Sequence, residues 1–427
     1  MRRLRAAAAT EPGRLRVVGA VLVLLVVAFG AVTALEISGR ASAADDVVSR
    51  SQPLSADAAG IYRLLADADT MAASGFLAGS QEPKAVHQSY ERDIREAARL
   101  LVKAAASTGA STASGREIRT LNEQLPVYTG LIERARANNR QGLPLGGAYL
   151  RYANQKMSGE LLPAAERLYS AETERLESDA DDARRWPFVA LAAGVLALAA
   201  LALIQRRDYR RTNRVFNQGL LAATAAATVV LLWLAASHTV ARTDLREAMA
   251  QGQASLDVLN DARISSLKAR ANENLTLVAR GAVLTEDGKA DRYETAYTAE
   301  MKSLDAALRS AGKLADDAGG GAPVETAAAG VAQWQERHAG ARAADDQGSY
   351  ERALVLVIGA KESTGESFTR VDEALEKALE HEQDEFDRAA RDGRGAFGGL
   401  PLGAGVLAVL GAVAVVLGVN RRVSEYR

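Results

Sequence analysis

The chain has no cysteine among its 427 residues. That excludes disulfides, thiol catalysis, iron–sulfur clusters and cysteine-type zinc sites. Histidine is nearly as scarce, with only His87, His238, His338 and His381 present. None has a second histidine at helical ligand spacing, and "HEQDE" at 381–385 lacks the closing histidine of a zincin. No P-loop, dinucleotide fingerprint or G-x-S-x-G elbow occurs, and no alternating strand pattern. The net charge of −1 gives no general pull toward nucleic acid. Aromatic residues are few, at 5%, whereas alanine is abundant and favours helix. These absences lead us to expect a helical protein that is not an enzyme, with no cofactor and no metal site.

Charge itself is missing from four long runs: Val17–Leu35, Pro187–Ile204, Leu220–Ala236 and Leu400–Val419. A bilayer crossing needs about 20 apolar residues, with a range of roughly 17–25. The first run follows basic residues and precedes "ASA" at 41–43, which imitates a cleavage site. We read it as a retained anchor, because its apolar core is longer than a usual signal-peptide core. Four spans then place both tails on one side.

The arginines fit that count. Short basic loops stay in the cytoplasm. Arg2, Arg3, Arg5, Arg14 and Arg16 precede the first span, and Arg421, Arg422 and Arg427 follow the last. Between the two central spans stands "QRRDYRRTNRVFNQG", carrying Arg206, Arg207, Arg210, Arg211 and Arg214. These five set topology and meet anionic headgroups, or they contact a cytoplasmic effector. The expected layout is a cytoplasmic tail (1–16), a span (17–35), an extracytoplasmic segment (36–186) and a span (187–204). There follow an inner hairpin (205–219), a span (220–236), a second extracytoplasmic segment (237–395), a span (396–419) and a tail (420–427).

The two outer segments resemble one another. Ile61, Ala66, Ala68 and Tyr90 face Ile264, Ala269, Ala271 and Tyr293 at an offset of 203 (264 − 61 and 293 − 90). "ARANNRQG" at 135–142 faces "ARAADDQG" at 341–348 at an offset of 206 (341 − 135), as "SGE" at 158–160 faces "TGE" at 364–366. We read a tandem duplication. Each copy divides into four helical runs at loop-forming stretches such as "TGASTASG" and "DDAGGGAP". Pro83 and Pro323 are placed for helix starts, and Pro126 for a kink. Helices of about 25 residues, roughly 38 Å long, make a bundle with its own core. The first and last helix of each bundle are expected to run straight into the membrane. In the last, Val371, Leu375, Ala378, Leu379 and Phe386 share one face, with Glu373, Glu376, Lys377, Glu380 and Glu382 off it. The fold class is therefore an all-α membrane protein with four transmembrane helices and two extracytoplasmic four-helix bundles.

Chemistry has few carriers. The spans hold no ionisable residue for an ion relay, and the inner segments are too short to fold a catalytic domain. In the outer segments Arg63, Asp67, Asp69 and Thr70 on one first helix, and Asn272 and Glu273 near the matching part of the other, are the candidate ligand-facing residues. A solvated face is the competing reading of each.

Span–bundle–span resembles the four-helix-bundle sensor modules of chemotaxis receptors and sensor kinases. The duplicated form with its "RRTNRVFNQGL" hairpin (210–220) and no output domain is similar to the GlnX-type membrane transducers. That resemblance implies transduction between a GlnH-like amino-acid-binding lipoprotein outside and a PknG-like Ser/Thr kinase inside, with glutamate or aspartate as the cue. It brings no ligand residue with it. The expected function is a non-enzymatic membrane sensor in a bacterial plasma membrane, touching lipid and no nucleic acid. The alternatives are an envelope scaffold or assembly protein, or an accessory subunit of an uptake system.

Overall fold

The computed structural model describes residues 11–212 and 217–424. The fold is all-α. Among the described residues the only paired extended backbone is an isolated antiparallel bridge between Leu284 and Asp291. The chain divides into two compact units.

The first unit comprises the described parts of Met1–Val48, Ser178–Glu247 and Arg388–Arg427. Its helices are α1 (Glu11–Asp46), α7 (Phe188–Thr212), α8 (Gln218–Glu247) and α14 (Leu400–Ser424). Four stretches are long and apolar enough to cross a membrane, lying within Gly13–Leu77, Leu145–Arg210, Gln218–Ala279 and Thr364–Ser424. Their charge-free runs fall on α1, α7, α8 and α14. Leu22, Val26 and Phe29 of α1 pack with Leu201 of α7, Val230 of α8 and Val415 of α14. Other apolar side chains point outward: Leu24 is 68% exposed and Leu402 76%. An apolar exterior around a packed apolar interior suits lipid and not water. The protein is a multi-pass membrane protein.

Small residues bring these helices together. A Cβ on Gly30 of α1 would stand 2.1 Å from the Ala408 Cβ of α14. One on Gly219 of α8 would stand 2.3 Å from the Ala414 carbonyl oxygen. Lipid supplies no hydrophobic drive between helices, so close backbone approach supplies the dispersion contact instead.

The second unit comprises Ser49–Glu177 and Ala248–Asp387. The two segments that the sequence divides into separate bundles fold here as one compact body. The first supplies α2 (Gln52–Leu77), α3 (Lys84–Ser107), α4 (Ala113–Arg140), α5 (Leu145–Lys156) and the start of α6 (Leu162–Arg184). The second supplies α9 (Ala254–Ala279), α10 (Arg292–Leu314), α11 (Ala318–Asp346), α12 (Tyr350–Ile358) and most of α13 (Thr364–Gly395). Each segment supplies five α-helices. Each first helix is preceded by a π-helical turn (Val47–Ser51 and Ala248–Gln253), and each third helix contains a proline, Pro126 or Pro323.

The two first helices pack on one another. The Thr70 hydroxyl donates to the Leu267 carbonyl at 3.0 Å, and the Asn274 amide donates to Ser74 Oγ at 2.7 Å. Burial covers most of α9, taking in Ser265, Ser266, Asn274 and Thr276 as well as its leucines, with Asp257, Asp261, Lys268 and Asn272 on the more open line. A helix buried on most of its circumference lacks a simple apolar stripe.

Several expectations need correction. The returning helices do not run unbroken into the membrane spans: α6 ends at Arg184 and α13 at Gly395. Pro187 lacks an amide hydrogen and forces Trp186 away from helical geometry. At the other break Gly399 has φ +74°, which glycine adopts without strain. Helix α11 starts at Ala318, not at Pro323, because Asp317 caps it by accepting from the Gly320 amide at 2.9 Å. The apolar face of α13 is as expected, with Val371, Leu375, Ala378, Leu379 and Phe386 all buried. Glu382 is the exception: it is buried too, and burial raises its carboxyl pKa.

Candidate functional site

The second unit contains a polar cleft of about 270 Å³. Tyr62, Ala66 and Asp69 come from α2, Asn154 from α5 and Glu166 from α6. Lys268 and Asn272 come from α9, and Arg292, Tyr293 and Glu300 from α10. Ser158 enters from a π-helical turn, Met157–Leu161. Pro163 follows that turn and has no amide hydrogen to give to the Gly159 carbonyl, so the regular helical ladder is interrupted here. Single π turns inside α-helices recur at functional sites.

Asp69 is the most buried of the charged lining residues, at 5% exposure. Its carboxylate accepts the Tyr128 hydroxyl at 3.0 Å and the Asn154 amide at 2.7 Å. Both donors are neutral. Burial pushes its pKa up to about 6, and these two bonds only partly offset that. Burial also raises Glu300. The Lys268 ammonium lies 5.6 Å from the centre of the Tyr62 ring. Among the described residues Asp69, Glu166, Lys268, Arg292 and Glu300 have no ion pair, although all five face one cleft.

Two other groups of charges lie in the same unit. Glu273, on α9, accepts from His338 Nδ1 at 2.8 Å, the Trp334 indole at 3.2 Å, the Thr364 hydroxyl at 3.0 Å, and Arg270. His338 Nε2 reaches Glu294 at 3.1 Å, and Tyr297 stacks on the imidazole at 3.8 Å. Burial works against the charged imidazole, but the carboxylates of Glu273 and Glu294 overcome it and push His338 up to about 9. The other group joins α2, α3, α9 and α13. Arg263 donates to both Asp372 oxygens at 2.7 and 3.0 Å, with Glu376 at 3.6 Å. Beside it Asp67 is pushed up to about 7 by burial and by Asp93 and Asp372. Asp93 is buried, and its Oδ2 has no hydrogen-bond partner.

The sequence-selected residues thus separate into four places. Asp69 and Asn272 line the cleft. Arg63 and Asp67 belong to the arginine–carboxylate group, where Arg263, Asp372 and Asp67 act on the Arg63 guanidinium. Thr70 joins α2 to α9, and Glu273 is enclosed at the centre of its own network. Sequence reasoning missed Lys268, Arg292, Glu166 and Glu300. Nothing local marks out Lys268, because α9 also carries Asp257, Asp261, Arg263, Arg270 and Glu273.

Asp317, His381 and Glu385 stand close enough to hold a metal ion. Asp317 is exposed and already accepts from Gly320 as the α11 cap, so capping accounts for its position. In the first unit, Arg206, Asp208, Tyr209, Asn217 and Arg422 line a smaller hollow of about 220 Å³, with Arg422 paired to Asp208 at 3.3 Å. Arg206, Arg207 and Arg210 are exposed. Arg214, Arg2, Arg3, Arg5, Arg427 and the Arg211 side chain lie outside the described residues.

Residues 43–181 match a family model described as the actinobacterial sensor domain. That segment carries Tyr62, Asp69, Asn154, Ser158 and Glu166, while the rest of the cleft comes from the second segment. No curated protein and no solved structure matches the chain. The match supports a bacterial sensor protein, and the apolar helices make it a multi-pass membrane one.

Proposed function

We propose that this protein is a non-enzymatic signal transducer that relays solute availability outside the cell to a separate cytoplasmic effector. The observation that carries the reading is the sensor-domain match over 43–181, in a chain whose helices at both ends of that segment lead to apolar spans. The arginine distribution supports an orientation with both tails and the central hairpin inside and the second unit outside. The five α-helices in each of the two outer segments support their descent from one duplicated module.

The cue is an amino acid, with glutamate and aspartate the first to test. It arrives free or on a GlnH-like lipoprotein, and the effector is a Ser/Thr kinase of PknG-like kind. The hairpin bearing Arg206, Arg207 and Arg210 is the inner surface with the densest positive charge, and it suits an acidic partner face. The test is crosslinking in intact cells followed by pull-down, with phosphorylation of the kinase's substrate followed as external glutamate or aspartate is added. A captured kinase and an altered phosphorylation level are expected. Capture of envelope-assembly proteins alone, with no response to either amino acid, would replace the transducer with a scaffold.

A further inference from the structure

Several buried charges elsewhere in the second unit are paired: Arg263 with Asp372, Arg270 and His338 with Glu273, and Arg136 with Glu82 at 3.2 Å. Asp93 and Glu382 are buried near further carboxylates, which helps raise both. The cleft differs in setting charges of both signs around one hollow with no ion pair between them. Asp69 is fully enclosed by protein on its own side and receives only neutral donors. Lys268 and Glu300 are half-buried, and neither is in ion-pair contact with a described residue. Arg292 and Glu166 stand exposed at the rim, also without one.

Withdrawing a charge from water without a partner is costly, and close pairing is the ordinary remedy. Here the charges do not touch: Tyr62 is the near neighbour of Lys268, and Glu300 and Glu166 act on it only across the cleft. Charges of both signs facing one hollow suit a ligand that carries both signs itself. The hollow's 270 Å³ lies just below the usual range of about 300–1,000 Å³ for small-molecule sites, so the ligand is small.

We propose that this cleft directly binds one free α-amino acid, its ammonium meeting Asp69 and Glu300 and its carboxylate meeting Lys268 and Arg292. The ligand would join α2 of the matched sensor segment to α9 and α10 of the second segment. It would thereby favour one packing of the two segments, which is what a sensor must do to bias an equilibrium. This deepens the transducer reading and rests on it for its biological meaning, though the site is tested without it.

The raised Asp69 carboxyl adds a pH signature. An ammonium is held best by the ionised carboxylate, so affinity should weaken as pH falls through about 6, where Asp69 takes up its proton.

The experiment is calorimetric titration of the full chain in lipid nanodiscs with glutamate, aspartate and glutamine. Succinate, which lacks the ammonium, and putrescine, which lacks the carboxylate, serve as controls. Saturable binding of an amino acid and of neither control is expected. Asp69→Asn and Arg292→Gln should each weaken it by at least about tenfold, the value of one charge-assisted hydrogen bond. Asp69→Asn should also reduce the loss of affinity below pH 6, leaving the share of Glu300. Arg292 is exposed, so its variant keeps the fold, and a thermal midpoint checks both proteins. No binding by any of the three amino acids overturns the proposal. So does equal binding of succinate or putrescine, or wild-type affinity in both folded variants. Binding without any change in effector phosphorylation would sink the relay and leave the site. An amino-acid response that survives without measurable binding would sink the site and leave the relay.

Discussion

His338 and Glu273 are fixed by geometry that a charge count along the sequence does not contain. Glu273 is 1% exposed and accepts from four side chains, and His338 stands between two carboxylates. A pair so enclosed contributes little net stability when intact, but breaking it leaves a buried charge uncompensated, at about 3–5 kcal/mol. Glu273→Gln should lower unfolding stability by that order, read as a shift in urea midpoint in detergent. The pH dependence has a definite sign. The folded imidazole, at about 9, lies above its ordinary 6.5. The stabilisation is therefore full below 6.5 and is lost as pH rises through 9. Wild-type stability should fall across that window, and His338→Gln should flatten the fall. Asp67, raised to about 7, acts in the same direction at lower pH: stability is lost as pH rises from about 4 to 7. Asp67→Asn should remove part of that slope, leaving the share of Asp93, which faces the same group.

How far the site could be read follows from these particulars. Asp67 and Asp69 are two residues apart and alike in sequence, yet only Asp69 lines the cleft. Lys268 and Arg292 reach the same hollow from roughly 200 positions further along, and no local pattern reports such a meeting. The sequence located α2 and α9 as the helices that matter, because charged and polar groups stand there among small and apolar positions. Which of those groups shared a space was decided by tertiary packing.

Helices themselves were far more legible, since charge-free runs, loop compositions and proline positions act locally. Pro83 marks the start of α3, and the face of α13 is legible at all five apolar positions. The π turns were not legible, because they depend on how neighbouring turns are held. The breaks between α6 and α7 and between α13 and α14 were available in "RWPF" and "GRGAFGGLP" but were passed over. Pro187→Ala should restore amide donation at the first break. Hydrogen exchange at residues 185–189 should slow, and unchanged exchange would mean that packing, not proline, holds the break open. Within the spans, Gly30→Val would thrust a side chain into Ala408. Overpacking of this kind costs about 1–3 kcal/mol, so the variant's thermal midpoint in detergent should drop.

At the scale of the whole molecule, the second unit joins Ser49–Glu177 and Ala248–Asp387, which meet through α2 and α9. Helix α9 is buried over most of its circumference partly because α2 covers it. Residues 49–177 expressed alone should therefore exchange amide hydrogens much faster along α2 than in the full chain. Equal protection would restore two independent bundles. Orientation follows from a different force. Arginine-rich short segments resist translocation, and those of this chain precede the first span, separate the central two and follow the last. Only an even number of crossings lets all three share a side, and four apolar stretches are present. Reporter fusions after residues 110, 212, 318 and 427 should accordingly read out, in, out and in. An external signal at 212 would place the arginine hairpin on the wrong face. It would remove both the proposed effector contact and the external position of the amino-acid cleft.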